Sequence, residues 1–264
     1  MRHSSAIIDA TAELDTNVSV GPYSIIGPRV QIAAGTQIGS HVVIRSDTRI
    51  GRDNQIYQFA SVGEDPQDRK YQGETSQLII GDRNQIREFS TIHRGTAEDG
   101  GVTRIGNDNL FMAYTHVAHD CQVGNQVVMA NGATLAGHVR LNDWVVLGGF
   151  SAVRQFCQIG MHGFVTSGTS VRKDVLPYML VDGVPAMLRG INREGLKRRG
   201  FCDTQIRTLK QTYRLLTSSQ LLADVTDKIV AEARQQAVLQ PMVAFLQSER
   251  RGGSILRTQA TTSG

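Results

Sequence analysis

Residues 115 to 121 read THVAHDC. His116 and His119 stand three apart and Asp120 follows at once, which allows three chemistries. A histidine beside a carboxylate is a general base with its orienter. Two histidines at short spacing are half of a metal site. Polar residues on an exposed turn do no chemistry at all. Choosing among the three requires knowing which way each side chain points, and that depends on the repeat in which they sit.

Beginning at Ile8, an aliphatic residue recurs every six positions through Leu14, Val20, Ile26, Ile32, Ile38, Ile44, Ile50 and Ile56 to Val62. The series resumes at Ile80, Ile86 and Ile92, breaks, and runs again from Ile105 to Val171, with Phe111 and Met129 its two deviations from Val, Ile or Leu. Four places after each anchor stands a small or β-branched residue, as at Val18, Ser24, Val30, Thr36, Cys121 and Cys157. A period of six suits neither an α-helix nor a long strand; it suits a short strand and a turn, repeated. Three such units close a triangular coil, and coils stacked at the strand spacing of about 4.8 Å form a parallel β-helix prism filled by the anchors.

The coil converts sequence into geometry. His119, Gly137 and Gln155 form one column, and Asp120, His138 and Phe156 the next. His119 falls at neither inward position, so its imidazole should face out, with a glycine stacked beside it that leaves an amide open to a ligand. Base, orienter and oxyanion donor are the parts of an acyl-transfer site. His93, His116 and His138 fall on the same group of coils. The metal reading finds no third ligand forced by spacing, and the H-x-x-H pattern is explained as a by-product of the hexads. Cys121 and Cys157 share an inward column two coils apart, beyond disulfide reach, and should be core thiols.

The rest of the chain narrows the class. A formal charge of +4 and 40% hydrophobic residues fit a folded, mildly basic protein. The β-patterned part carries no nucleic-acid footprint, no apolar run is long enough to span a bilayer, and the N-terminus lacks a signal-peptide core. A soluble, cytoplasmic protein is expected. Two polar segments, 63–79 and 94–104, interrupt the hexads and should be extruded loops, the second shifting the frame by one residue. From Asn192 the apolar spacing becomes helical, so the expected domains are a β-helix over 1–190 and a small helical domain over 191–264, with a frayed tail.

The segments IYQFASVGEDPQDRKYQGE, IREFSTIHRGT, HVAHDC, LAGHV, RQFCQIG and INREGLKRRGF together resemble the UDP-N-acetylglucosamine acyltransferases of lipid A biosynthesis over essentially the whole chain. The resemblance implies an all-β hexapeptide-repeat left-handed parallel β-helix with a small α-helical C-terminal domain; the handedness comes from this likeness, since parallel crossovers are otherwise right-handed. It implies transfer of a 3-hydroxyacyl group from the phosphopantetheine of acyl carrier protein to the glucosamine 3-hydroxyl of UDP-N-acetylglucosamine, without metal or other cofactor. By the same resemblance His119 is the general base, Asp120 its orienter and Gly137 the oxyanion donor. Asp68 and Lys70 would hold the sugar and its phosphates, and His93, His116 and His138 would position substrate. Gln155, Asn192, Glu194, Arg198 and Arg199 would line the nucleotide pocket, a solvated helix start being the competing account of Arg199. Ser167 would limit acyl chain length, and Arg154 stands where the family carries histidine.

The family is a homotrimer with sites between subunits. Apolar residues expected to face outward, Phe111, Met129 and Trp144, give the prism reason to associate. A basic cluster of Arg172, Lys173, Arg189, Arg193, Lys197, Arg198 and Arg199 offers a surface to the acidic carrier protein. An N-acyltransferase acting on a related 3-amino nucleotide sugar uses the same base and stands as the alternative.

Overall fold

The computed structural model describes residues 1–218 and 221–248; the tail expected to fray lies outside them. Most hexads form a two-residue strand that ends on the aliphatic anchor, as in Ile25–Ile26, Gln31–Ile32 and Gln37–Ile38. Away from the two loops and the terminal hairpin, each strand pairs in parallel with the strand eighteen residues on, Ile25 with Val43 and Gln37 with Gln55. Three sheets result. The first runs from Ile7–Ile8 to Ser170–Val171 and the second from Glu13–Leu14 to Gln158–Ile159. The third begins at Ser19–Val20 and is closed by a hairpin of Met179–Asp182 and Met187–Ile191. The coils form a left-handed parallel β-helix.

The anchors and the residues four places after them fill the interior. Ile44, Ile86, Leu135 and Leu147, with Val18, Val30, Cys121 and Cys157, are fully buried. Both cysteines are free, and burial pushes their thiols up to about 12 and about 11. Where the second inward position is polar, the side chain bridges coils. Ser24 Oγ donates to Gly39 O at 2.7 Å and accepts from Val42 N at 3.1 Å. Left unmade, such bonds would each cost about 1–3 kcal/mol.

Phe111 and Met129 do not face outward. Both are completely buried, because they occupy the anchor position, and the pleat turns that position inward whatever residue it holds. The outward aromatics stand instead at the corners, where the backbone is left-handed. Among the described residues eighteen non-glycine residues have positive φ, including Tyr23, Asp120, His138 and Trp144. Each conformation costs about 1–2 kcal/mol, offset by bonds and stacking along the corner column. On the corner between the third and first sheets, Tyr23, His41, Phe59, Phe89 and Tyr114 stack with ring centroids 4.9–5.3 Å apart.

Both extruded loops leave the corner between the first and second sheets. Across the first, Ser61 pairs with Thr91; across the second, Thr91 pairs with His116. The first loop thus adds twelve residues to the coil, two whole hexads, and keeps the inward frame. The second adds seven and shifts it by one, as the sequence requires. Beyond the hairpin come four helices, α1 (Arg193–Arg198), α2 (Asp203–Leu216), α3 (Leu222–Ala233) and α4 (Gln240–Gln247). α2 buries Ile206, Leu209 and Leu216, and α3 buries Val225 and Ile229. No helix among the described residues is long and apolar enough to cross a membrane.

Candidate functional site

The THVAHDC stretch supplies one strand and one corner. His116 and Val117 form the strand, Val117 and Cys121 point into the core, and His119 with Asp120 turns the corner between the first and second sheets. His119 does leave the prism, as its position requires, yet it is only 7% exposed. The second loop roofs it. Thr96 of that loop donates its N–H to Asp120 Oδ1 at 2.8 Å and its hydroxyl to Oδ2 at 2.7 Å. His119 Nδ1 lies 2.8 Å from the same Oδ2. A carboxylate so bound is immobile, and its bond to Nδ1 leaves Nε2 as the basic nitrogen of His119.

The coil above completes the corner. A Cβ on Gly137 would stand 2.5 Å from His119 Cε1 and 2.7 Å from Nε2, so only glycine lets the imidazole lie there. The amides on either side of Gly137 bond Val153 O and His119 O, whereas the Gly137 N–H has no acceptor among the described residues. The His138 ring meets His119 edge-on at 5.1 Å and stacks on Phe156 at 4.5 Å. A free backbone N–H beside a basic nitrogen can stabilise an oxyanion formed as that nitrogen takes a proton.

His93 and His116 lie together on the first sheet, their rings edge to face at 5.0 Å, with His116 Nδ1 2.7 Å from Thr91 Oγ1. Burial, reinforced by His116, pushes His93 down to about 4, and burial also lowers His116. Both are neutral donors or acceptors at physiological pH. The pair first considered for a metal, His116 with His119, is not gathered into one. The described residues that bring metal-binding atoms within 4.8 Å of one another are His119, Asp120 and His138. Asp120 already spends its oxygens on Thr96 and His119, the arrangement of an orienting acid.

Asp68 and Lys70 occupy the first loop at the same corner. Asp68 accepts from the Lys70 N–H at 3.0 Å, and the Lys70 ammonium reaches Glu98 of the second loop at 3.0 Å. The residue that shapes the loop is Arg94, which nothing in the hexad pattern signalled. Its buried guanidinium bonds Gly63 O, Asp65, the Tyr71 hydroxyl and Ser76, gathering both roots of the loop and its tip. Thr96, whose two bonds hold Asp120, was equally unmarked, because a loop has no period to read.

Of the other expected site residues, Gln155 shares the His119 corner and the rest lie elsewhere. Gln155 is exposed one coil above Gly137, near the exposed Arg154. Asn192 caps α1, accepting from Gly195 N at 3.2 Å and donating to His162 O at 2.9 Å. With Glu194, Arg198 and Arg199 it lines a cavity of about 530 Å³ against Val146, Phe164 and Leu180 of the third sheet. Arg199 is no solvated helix charge: its guanidinium lies 4.4 Å over the Trp144 ring. Ser167 is exposed on the corner between the third and first sheets. One prism therefore presents these residues at three different corners.

Comparison with known proteins agrees with this architecture. The family model for UDP N-acetylglucosamine O-acyltransferase domain 2 matches residues 174–254, and a bacterial transferase hexapeptide model matches 103–137. An acyl-[acyl-carrier-protein]–UDP-N-acetylglucosamine O-acyltransferase of Herminiimonas arsenicoxydans is 51% identical over 95% of this chain and 97% of its own length. The chain belongs to the UDP-N-acetylglucosamine O-acyltransferase family. Solved structures of the family superpose closely. The Francisella novicida UDP-N-acetylglucosamine acyltransferase gives a TM-score of 0.96 at 39% identity, covering 100% of this chain and 96% of that one. The Moraxella catarrhalis UDP-N-acetylglucosamine O-acyltransferase gives 0.93 at 43% identity, covering 97% and 99%. The chain is thus an acyltransferase, and the likeness extends through its helical end.

Proposed function

We propose that the chain transfers a 3-hydroxyacyl group from acyl carrier protein to the glucosamine 3-hydroxyl of UDP-N-acetylglucosamine, the first step of lipid A biosynthesis. The observation that carries the reading is the His119 imidazole held between Asp120 and the bare α-carbon of Gly137. His119 Nε2 takes the hydroxyl proton as the oxygen attacks the thioester carbonyl, and Asp120 stabilises the resulting imidazolium. The Gly137 N–H supports the oxyanion. Collapse expels the pantetheine thiolate, which recovers the proton from His119. A thioester is already activated, so the route needs neither a covalent enzyme intermediate nor a metal.

Lys70 is suited to the diphosphate and Asp68 to the sugar, at the same corner as the base. The nucleotide-lining residues around Asn192 and Arg199, and Ser167 as the limit on acyl length, stand on other corners. A homotrimer explains that separation, because a neighbouring copy can bring its own corner against the His119 groove. The carrier protein and the nucleotide sugar are cytoplasmic partners, and the work is placed there.

The test is an assay of wild type and His119→Ala with hydroxyacyl carrier proteins of several chain lengths, offered UDP-N-acetylglucosamine or its 3-amino analogue. Ester formation, lost by several orders of magnitude in the variant with the fold retained, supports the reading. Transfer to the amino sugar alone overturns it in favour of N-acylation.

A further inference from the structure

His138 is held by more than its own coil. Its Nδ1 lies 2.9 Å from Asp99 Oδ2, thirty-nine residues away in the second loop, and its Nε2 lies 3.7 Å from Asp120 Oδ2. Asp99 closes a short turn, Ala97–Asp99, that is stopped by Gly100 and Gly101, both at positive φ, and tied back by Gly101 N to Thr96 O at 2.8 Å. Thr96, at the start of the turn, binds Asp120; Asp99, at its end, binds His138. One loop therefore grips both the orienter of the base and the ring beside it.

From this geometry we infer that Asp99 is a positioning residue for acyl transfer, acting through His138. A carboxylate accepts and never donates when ionised, so its bond fixes the proton on Nδ1 of His138. The ring is then locked on two sides: Asp99 holds the Nδ1 edge while Phe156 supports one face. What remains is Nε2, presented toward Asp120 and the edge of His119. The charged and titratable groups facing His138 are Asp99 from the loop and Asp120 and His119 from the coil below. Without Asp99 the ring can exchange its tautomer or rotate, and either change places a different edge against the base. The same turn carries Glu98 to Lys70, so the loop that sets His138 also touches the first loop.

The inference rests on the proposed site but not on the identity of its substrates, and its test separates the two. Long-range proton–nitrogen correlation spectra of the full chain, labelled at histidine, report which nitrogen of His138 carries the proton. Nδ1–H is expected in wild type, a mixture of tautomers in Asp99→Ala, and recovery toward wild type in Asp99→Glu. In the transfer assay Asp99→Ala is expected to lower kcat about tenfold to a hundredfold, with KM for the nucleotide sugar changed much less. An unchanged His138 tautomer in Asp99→Ala overturns the inference even if no transfer to UDP-N-acetylglucosamine is found. A changed tautomer with unchanged kcat overturns it too, while leaving the acyltransferase reading intact.

Discussion

Gly137 and His119 are in contact across two coils, the imidazole lying where a side chain on residue 137 would otherwise stand. The base thus owes its orientation as much to a missing methyl group as to the Asp120 carboxylate.

Gly137→Ala should therefore act as an active-site variant rather than a folding variant. Its added carbon would meet the Cε1–Nε2 edge of the imidazole, the far end of a side chain that must shift to admit it. A displacement of this size at the base costs about a hundredfold in kcat. Steady-state kinetics beside a thermal melt would check it, the expected result being a large loss of turnover with a small change in Tm.

Arg94→Met should separate stability from chemistry in the opposite sense. The guanidinium is buried, whereas its partner Asp65 is half exposed, so the loss comes chiefly from the buried Gly63 carbonyl and Ser76 hydroxyl left without their bonds, about 1–3 kcal/mol for each. The first loop would lose the bonds that join its roots, so Asp68 and Lys70 would no longer be presented to the nucleotide. Denaturant unfolding should show the lost stability. Kinetics should show a raised KM for the nucleotide sugar with kcat affected less.

Acid should destabilise the protein through two histidines. Burial holds His93 at about 4, and burial with the nearby Arg199 holds His162 at about 4. The unfolded chain, with histidines near 6.5, binds more protons than the folded one between those values. Stability from these groups is accordingly complete above about pH 6.5 and lost as pH falls toward 4, on the order of 3 kcal/mol for each. His162 is sandwiched between Trp144 and Tyr178, so His162→Phe keeps the stack. Melts from pH 7.5 to 4.5 should fall less steeply in that variant.

Trp144 should report on the helical end of the molecule. It is the single tryptophan of the chain and lies under the Arg199 guanidinium beside the cavity at α1. UDP-N-acetylglucosamine should change its emission in a saturable way, and Arg199→Met should abolish the change together with the binding it reports.

How far the sequence could be read follows from where it is periodic. The hexads located the buried Val, Ile and Leu anchors, the insertion that shifts the frame by one residue, and the adjacency of His119 to Gly137, because stacking maps one eighteen-residue step onto one strand spacing. Phe111 and Met129, expected to face outward, are buried, because the place in the hexad and not the residue type decides which way a side chain points. The roof over His119 was invisible. Thr96 and Asp99 reach Asp120 and His138 from an aperiodic loop, and their placement depends on turn bonds that no spacing encodes. Arg94 was missed for the same reason, although a basic residue directly after His93 and between two loops was a visible signal.

The parallel pairing has a last consequence for how the molecule keeps its dimensions. Along the prism axis, separations are counted in strands, so the height of the helical end above His119 is an integer multiple of about 4.8 Å, indifferent to which aliphatic residue fills the interior. Duplicating residues 122–139 would insert one whole coil, leave Gly137 and His138 seated over His119 and Asp120, and raise everything above by a single increment. Distance within this protein is set by counting, and a mutation can alter it only in whole steps.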